Sequence, residues 1–463
     1  MVVVPGKAAK NYSKHFYRTG RESTINTVNT TYKKYEVSVH QLKFGMFVRE
    51  LDRPWLDSPF KFQGFYIHSI EDVLALKKIC SVVYIDLDKS RHLESKVRVS
   101  HESKHEKKIL ERREQFWVPD SHLLKDVEYP DEVCIEDELV PAIEARSNAV
   151  TAVESLYADI RSGSSITTAE TKKAVTGLVD SIIRNPDAHA LLALLEECDA
   201  QRLVHSLNVC TLSLALGRML GFPRQYMIEL GLGALLHDIG QAKIPKELVT
   251  REGALTDEEY EVMKKHAALG MELLLDEERH LPYRAIDAVY THHERYDGYG
   301  YPEQIRGDSI PLYGRIVAIA DFYEAITGEH ADKEKLTPGA AMTQLYALRN
   351  MNFDACLVEE FIKCVGIFPI GCAVLLSTGE LGIVITQNRK SRLEPKLMLI
   401  LDKNKQFYPV PRLYDISLFK KNDEKDVRVT GIVDPGEYEI DVKSYLGDLV
   451  GMLESSNEIR EGT

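Results

Sequence analysis

Helical hydrophobic periodicity over residues 141–366 constrains the fold of this 463-residue chain more strongly than any other feature. Apolar residues recur there at the spacing of one helix face, for example at Val153, Leu156, Tyr157 and Ile160. Short strand-like runs flank this stretch on both sides. We therefore predict a mainly α fold, in which an all-α helical domain follows a small α+β domain and precedes a short β appendage.

Changes in composition along the chain predict its domain boundaries. We expect a flexible tail at 1–35, a small α+β accessory domain at 36–95, a charged linker at 96–140, the helical domain at 141–368, and a β appendage with a tail at 369–463. Strand-like runs in the accessory domain lie at 37–39, 42–48, 64–67 and 82–86, around a helical segment at 70–79. Those in the appendage lie at 373–376, 382–386, 396–401 and 407–410. Within the helical domain, Pro186 is expected to end a helix just before it.

Charge, hydropathy and cysteine content exclude several classes of protein. The formal charge of −13 argues against a general nucleic-acid binder, so we expect no DNA partner. No apolar run approaches the roughly 18 residues of a membrane span, and the N-terminus lacks the apolar stretch of a signal peptide. Seven cysteines without a CxxC pair are typical of reduced thiols. These features predict a cytoplasmic protein without a membrane span.

Two carboxylates lie within apolar helical segments, where an ionised group needs a partner. Asp238 follows His237 at the end of an apolar helix over 228–236, and Asp321 lies inside the apolar run 316–322. Burying a carboxylate is costly unless it is paired or coordinates a metal ion. A structural salt bridge is the alternative reading, but residues 228–236 contain no lysine or arginine.

Histidines complete a ligand set around these carboxylates. Taken alone, His205 on an apolar helix face is typical of a core residue, and His266 is typical of the surface of a helix over 258–275 that Thr256 and Glu259 would cap. Together, five histidines and two aspartates on at least four helical segments indicate a metal site: His205, His237, Asp238, His266, His292, His293 and Asp321. Imidazole and carboxylate ligands favour Mn, Fe or Zn. So many ligands indicate a two-metal centre, and such centres typically serve phosphoryl displacement.

A segment rich in histidine, tyrosine and glycine carries a family resemblance: residues 292–302 read His-His-Glu-Arg-Tyr-Asp-Gly-Tyr-Gly-Tyr-Pro. In the order of its histidines and aspartates the chain resembles the HD superfamily of metal-dependent phosphohydrolases, and this segment resembles the signature of the HD-GYP branch. The resemblance covers about residues 199–365. The unit at about 36–90 also resembles the small domain of unassigned function that precedes some HD-GYP domains.

The resemblance implies an all-α catalytic domain that hydrolyses cyclic di-GMP, a bacterial second messenger, to pGpG and often to GMP. In this family a hydroxide that bridges two or three metals performs the reaction. The implied ligands are the seven residues named above, and His237 and Asp238 are also implied in catalysis. Members with a third metal have glutamate at the position of Gln201, which is a poor ligand, so we expect two metals here, with Fe or Mn as the main candidates.

Several phosphate-holding positions depart from the family pattern. Gln241 stands where the family usually has lysine, and Lys243 is our candidate to reach the same phosphate oxygen and to take part in catalysis with His237 and Asp238. The family's Arg-x-Tyr-Arg segment reads His330-Ala331-Asp332-Lys333 here, so only Lys333 keeps its basic character, because histidine lacks the permanent charge and the fork of arginine. The main alternative is therefore a catalytically weak HD-GYP protein that acts as a cyclic di-GMP receptor or a protein-interaction scaffold. A third reading is the hydrolysis of another nucleotide.

The loop after the histidine pair is implied in the recognition of substrate and partner. We expect Gly298 and Gly300 to adopt backbone angles that are closed to other residues. Arg295 is a candidate for a phosphate contact, with an exposed salt bridge as the alternative, and Tyr301 is a candidate for stacking on a base or on a partner protein. The family's Gly-Tyr-Pro loop, here Gly300-Tyr301-Pro302, is associated with the docking of diguanylate cyclase (GGDEF) domains. The N-terminal unit is a candidate for sensing or for homodimer formation.

Overall fold

The computed structural model divides the chain into two compact units, residues 1–119 and 120–463. It describes residues 22–23, 34–39, 46–53, 65–67, 76, 78–86, 127–164, 168–195, 201–251, 253, 255–275, 281–328, 336–419 and 427–461. The predicted fold class is confirmed, because helices dominate the second unit and each unit also contains a small sheet. None of the described helices is both long and apolar enough to cross a membrane.

The first unit contains an antiparallel sheet of five strands. These are β1 (Glu22–Ser23), β2 (Lys34–Ser38), β3 (Phe47–Leu51), β4 (Phe65–Tyr66) and β5 (Val82–Asp86), in the order β1-β2-β5-β3-β4. Alternate residues of β3 and β5 are buried, among them Val48, Val83 and Ile85, as expected for strands with one face on a core. β1 lies within the segment that we expected to be a flexible tail. It forms a strand there because its backbone pairs with β2. Of the helical segment expected at 70–79, the described residues 76, 78 and 79 are helical.

The second unit begins with a run of helices that holds the candidate site. The helices are α1 (Ile135–Ser162), α2 (Ala169–Arg184), α3 (Pro186–Ala193), α4 (Gln201–Met219), α5 (Arg224–Leu235), α6 (Lys246–Val249), α7 (Asp257–Met263), α8 (His266–Leu274), α9 (Tyr283–Thr291), α10 (Leu312–Thr327), α11 (Pro338–Ala347) and α12 (Ala355–Val365). Short 3-10 helices at Ile239–Lys243 and Gly307–Ser309 connect some of them.

The first helix, α1, begins before the predicted start of the helical domain at residue 141. Its first turn contains Glu136, Asp137 and Glu138, which belong to the acidic run that we assigned to a linker. Acidic side chains stabilise the N-terminal end of a helix, where the backbone dipole is positive. Glu138 is also buried and forms an ion pair with Arg184 at the end of α2. The acidic residues are therefore part of the helix rather than of a solvated linker.

Helix boundaries near the site follow local sequence signals. α2 ends at Arg184 as predicted, and Asn185 then caps α3 by accepting a hydrogen bond from the backbone of Asp187. The capping box of Thr256 and Glu259 is confirmed at the start of α7. The single helix predicted over 258–275 is instead two helices, α7 and α8. The break frees the carbonyl of Met263, which accepts a hydrogen bond from Nδ1 of His266.

A second antiparallel sheet follows the helices. It consists of β6 (Ala373–Leu376), β7 (Leu381–Thr386), β8 (Lys396–Leu401), β9 (Phe407–Asp415) and β10 (Val429–Ile432), in the order β10-β6-β7-β8-β9. A short helix, α13 (Ile416–Phe419), follows β9. The four predicted strands of the appendage are present, and β10 is an addition. The last element is a 20-residue helix, α14 (Val442–Glu461), in a segment that we had assigned to the appendage and tail. Leu446 and Val450 of this helix pack in one core with Ile135 and Leu139 of α1.

Candidate metal centre

The seven ligand candidates come from five different parts of the helical run. His205 lies in α4, His237 and Asp238 lie in the turn after α5, and His266 is the first residue of α8. His292 and His293 directly follow α9, and Asp321 lies in α10. The structure brings all seven together, at distances of a few ångströms between their polar atoms. His266 is buried, so our interpretation of this residue as a surface histidine when taken alone was wrong.

The ligand atoms form two groups that share one carboxylate. Asp238, His266, His292 and His293 offer atoms that all lie within 4.8 Å of one another, and so do His205, His237 and Asp238. Oδ1 of Asp238 lies 3.3 Å from Nε2 of His266, and its Oδ2 lies 3.5 Å from Nε2 of His237. A carboxylate placed between two groups of imidazoles suits a pair of cations better than a single one.

Three of the histidines are oriented by the ends of helices. Nδ1 lies 2.8 Å from the carbonyl oxygen three residues earlier in each of three pairs: His237 with Ala234, His266 with Met263, and His292 with Val289. The last carbonyls of an α-helix have no partner within the helix, so they are available to accept these bonds. Because a carbonyl only accepts, Nδ1 carries the proton and Nε2 presents its lone pair to the centre.

His205 is oriented differently, since it lies inside α4. Its Nε2 is 3.2 Å from Oδ1 of Asp321, and its Nδ1 forms a short hydrogen bond with Oε2 of Glu324. Burial alone would lower the pKa of His205, but these two carboxylates raise it well above its usual value. The ring thus lies in a position that favours positive charge, whether the charge belongs to a proton or to a metal ion.

Burial on the other side of the centre favours the neutral forms of His292 and His293. Burial lowers the pKa of His293 to about 3, with a further contribution from the imidazole of His266. Burial likewise lowers the pKa of His292 well below its usual value. Burial would raise the pKa of Asp238, but the surrounding imidazoles, with His237 first, hold it well below its usual value. Neutral His292 and His293 beside an ionised Asp238 match the protonation states that metal ligation needs.

One buried nitrogen provides a test of whether these residues fit a metal ion. Nε2 of His237 is buried and has no hydrogen-bond partner, although its ring is oriented by the bond from Nδ1. A buried polar atom without a partner is costly, and a lone pair aimed into a cluster of ligands is satisfied by a cation. The donor set of imidazole and carboxylate therefore fits a metal centre.

The glycine-containing loop packs directly against the histidines. Gly298 has a positive φ of 82°, as predicted, but Gly300 does not adopt such an angle, so that expectation was wrong. Gly300 is needed for space instead, because a Cβ there would lie 2.3 Å from the backbone nitrogen of Arg295. The ring of Tyr301 stacks on His293 at 4.7 Å. Arg295 forms a two-pronged ion pair with Asp297, which matches the salt-bridge alternative.

The candidate phosphate-holding residues lie at the edge of the described site. Lys243 is exposed at the end of the 3-10 helix Ile239–Lys243, which begins directly after Asp238. Gln241 lies in the same helix and is partly buried. Residues 330–333, including Lys333, lie outside the described residues, as does the side chain of Gln201.

Four residues around the centre escaped the sequence analysis. Glu324 contacts His205, Asn208 donates to Glu324 over 3.4 Å, and the hydroxyl of Tyr157 donates to the backbone carbonyl of Asp238 over 3.2 Å. Glu294 is buried, and burial raises its pKa to about 7. Only Glu324 had a readable signal, because it is a second carboxylate one helical turn after Asp321 on an apolar helix.

The helical fold and the histidine–aspartate centre define a protein of the HD type, a class of metal-dependent phosphohydrolases. A family model described as HD domain matches residues 190–357, and one described as a domain of unknown function matches residues 34–171. The chain is similar to the Cyclic di-GMP phosphodiesterase PA4108 of Pseudomonas aeruginosa, with 34% identity over 378 residues that cover 81% of this chain and 87% of that protein. The chain belongs to the HD-GYP family of HD-domain proteins.

Two further similarities are more limited. The chain is 38% identical to the 3'3'-cGAMP-specific phosphodiesterase 2 of Vibrio cholerae over 128 residues, which are 28% of this chain and 24% of that protein. Among solved structures, it is similar to Bd1817, a HDG"Y"P protein from Bdellovibrio bacteriovorus, with 19% identity and a TM-score of 0.41. That similarity covers 71% of this chain and 98% of the other.

Proposed function

We propose that this protein is a metal-dependent phosphodiesterase that hydrolyses cyclic di-GMP to pGpG, to GMP or to both. The observation that carries the proposal is the pair of ligand groups joined by Asp238. The name and the extensive coverage of the Pseudomonas aeruginosa relative support cyclic di-GMP as the substrate.

The proposed centre holds two divalent metals, with Fe or Mn as the main candidates. His205, His237 and Asp321 would ligate one metal, and His266, His292 and His293 the other, with Asp238 between them. When bound, the two metals supply Lewis acidity and an activated water for attack on phosphorus. The chain's own residues hold the ligands in the correct protonation state and keep the histidine side of the centre out of bulk water.

The proposed substrate contacts are Lys243, Arg295, Gly298, Tyr301 and Lys333. Lys243 is supported as a contact by its exposed position at the end of the 3-10 helix Ile239–Lys243, which begins directly after Asp238. Arg295 binds Asp297 through Nε and Nη2, so a phosphate contact through this pair of nitrogens would require the guanidinium to release Asp297. Tyr301 stacks on His293, and Nζ of Lys264 lies over its ring at 5.8 Å from the ring centre, so stacking on a base would require these contacts to rearrange.

Product release by the reconstituted protein tests the proposal. Metal-free protein is loaded with Mn²⁺ or Fe²⁺, its metal content is measured, and pGpG and GMP are quantified after incubation with cyclic di-GMP. We expect turnover by the loaded protein and none by His237→Ala. A metal-loaded protein that releases neither product, or turnover that survives His237→Ala, would contradict the proposal.

A receptor or scaffold with weak catalysis is the second candidate function. The observations that favour it are Gln241 at a position where the family usually has lysine, and the engagement of Arg295 by Asp297. Calorimetry that records tight binding of cyclic di-GMP without turnover would support this candidate, and efficient turnover would reject it. A third candidate function is the hydrolysis of another nucleotide. The name of the Vibrio cholerae relative suggests 3'3'-cGAMP as the nucleotide to include in the same substrate panel.

Domain organisation, partners and location complete the proposal. We propose the domain boundaries given in the sequence analysis, amended by the observed start of α1, and a cytoplasmic location. Docking of a GGDEF domain on the Gly300-Tyr301-Pro302 loop is supported by the neighbouring Tyr299, which is 81% exposed. Homodimer formation remains a proposal for the N-terminal unit.

A further inference from the structure

His205 needs an acceptor that its own helix does not provide. His237, His266 and His292 use free carbonyls at the ends of helices, whereas His205 is the fifth residue of the 19-residue helix α4. The carbonyls one turn before it accept the regular hydrogen bonds of the helix. The proton on Nδ1 of His205 therefore requires a side-chain acceptor, and Glu324 of α10 provides it.

A chain of buried polar groups holds Glu324 in place. Nη2 of Arg146, in α1, donates to Oδ1 of Asn208 over 2.7 Å. Because a guanidinium only donates, the amide of Asn208 must present its oxygen to Arg146 and its NH₂ group to the other side. That NH₂ group lies 3.4 Å from Oε1 of Glu324, while Oε2 receives the proton of His205.

The direction of these hydrogen bonds has a consequence for ligation. Nδ1 of His205 and the NH₂ group of Asn208 both donate to the carboxylate of Glu324. This arrangement holds the His205 ring with its proton on Nδ1. Its Nε2 is then left to face Asp321 and the centre. Arg146, Asn208 and Glu324 come from the three helices α1, α4 and α10, respectively. The orientation of the His205 ring therefore depends on how these three helices pack together.

We propose that Glu324 is a positioning residue for the metal ligand His205, and that Asn208 and Arg146 orient Glu324. This inference rests on the metal centre of the proposed function. Glu324 does not touch the substrate in this scheme; it acts through His205. Partners that orient a ligating histidine typically contribute 10–100-fold to metal affinity, so about that loss is expected when the carboxylate is replaced.

Counting bound Mn²⁺ by electron paramagnetic resonance tests the inference without using substrate. Metal-free protein is titrated with Mn²⁺, and the signal of free Mn²⁺ gives the affinities of the sites. We expect Glu324→Gln to weaken one of the two sites by roughly 10–100-fold and to leave the other unchanged. The matched control is Glu138→Gln, which removes another buried carboxylate in the same unit, away from the centre. This control should keep both affinities.

The other outcomes refute the inference, the proposed function or both. Unchanged affinities in Glu324→Gln, or an equal loss at both sites, would show that Glu324 does not act on His205 in particular. A wild-type protein that binds two Mn²⁺ but hydrolyses no cyclic di-GMP refutes the proposed function alone. A wild-type protein that binds fewer than two Mn²⁺ refutes both.

Asn208→Leu provides a second test that leaves Glu324 in place. The substitution keeps the approximate size of the side chain and removes its hydrogen bonds to Arg146 and Glu324. We expect a weaker effect on the same Mn²⁺ site, roughly 3–10-fold, because the substitution removes one long hydrogen bond to Glu324 and leaves the carboxylate that accepts from His205. Unchanged Mn²⁺ affinities in this variant would show that Arg146 and Asn208 do not orient Glu324. This test also stands if Glu324→Gln fails to fold.

Discussion

One carboxylate oxygen of Asp238 lies 3.3 Å from Nε2 of His266. Asp238 thereby belongs both to the ligand group of His266, His292 and His293 and to the group of His205 and His237. The other oxygen of Asp238 is directed towards His237. A single side chain thus takes part in both halves of the centre. Its removal should affect the two metals together, whereas removal of a ligand from one half should affect one metal.

The first prediction compares two aspartates. We expect Asp238→Asn to lose both metals, because an amide is a weak ligand and both groups depend on this carboxylate. Asp321→Asn should lose only the metal on the side of His205, since Asp321 contacts that residue. Metal content measured by mass spectrometry after dialysis distinguishes the two. Loss of equal amounts of metal from both variants would contradict the bridging role of Asp238.

The second prediction concerns metal removal. A ligand that binds only the folded state stabilises it, by about 2.7 kcal/mol for one ion at a free concentration 100 times its Kd. Chelation should therefore lower the melting temperature of the wild-type protein by several degrees, and added Mn²⁺ should restore it. Differential scanning calorimetry provides the measurement, with Asp238→Asn as the control that should respond little. A wild-type melting temperature that ignores the chelator would argue against the centre.

The third prediction concerns pH and Glu294. Burial raises the pKa of Glu294 to about 7, so the folded protein holds this proton at pH values where the unfolded chain has released it. Its contribution to stability is present at low pH and is lost as the pH rises from about 4.5, the ordinary value, to about 7. Metal-free wild-type protein should therefore lose stability relative to Glu294→Gln between pH 5 and pH 8. Melting temperatures of both proteins across this range test it, and a difference that does not change with pH would contradict it.

The fourth prediction concerns Gly300. A Cβ at this position would lie 2.3 Å from the nitrogen of Arg295 and 2.5 Å from Cα of Glu294. Both atoms belong to the backbone, so a side-chain movement cannot relieve the clash. We expect Gly300→Ala to destabilise the protein by about 3 kcal/mol and to lower activity, because the same loop packs on His293. Gly339→Ala in α11 is the control, since nothing lies within 4 Å of a Cβ there. Urea denaturation should separate the two variants, and equal midpoints would contradict the argument.

The fifth prediction concerns the lysine beside the centre. Lys243→Ala should raise KM for cyclic di-GMP, roughly 10-fold for the loss of one charged hydrogen bond to phosphate. The nearby exposed Lys246→Ala is matched in charge and size and should leave KM unchanged. Steady-state kinetics on the Mn²⁺-loaded protein tests this. An equal effect of the two substitutions would show that Lys243 has no specific role.

Sequence patterns were informative where a local signal determined the structure. The capping box at Thr256, the helix end before Pro186 and the apolar strands of the second sheet all depend on neighbouring residues, and they occur as predicted. The gathering of the seven ligand candidates was also anticipated, because carboxylates on apolar helices require partners. The end of α7 at Met263 was missed, since no proline or glycine marks it.

Features that depend on tertiary contacts could not be predicted from the sequence. The role of Asn208 depends on Arg146, which is 62 residues away in sequence, and no periodicity links the two. The space required at Gly300 likewise depends on how the loop folds back on Arg295. The helix α14 was missed for a different reason: its apolar residues, such as Leu446 and Val450, do have helical spacing, but polar residues dilute the pattern.

The hydrogen bonds of His237, His266 and His292 to helix-end carbonyls connect the aim of each ligand to the length of the helix before it. Each imidazole and the carbonyl that orients it are three residues apart, so they turn together if the helix shifts its register. One inserted residue in α5 would rotate His237 by about 100° without breaking its own hydrogen bond. An insertion or deletion within one of these helices would therefore redirect a ligand away from the centre, even where the local hydrogen bond of the histidine is kept.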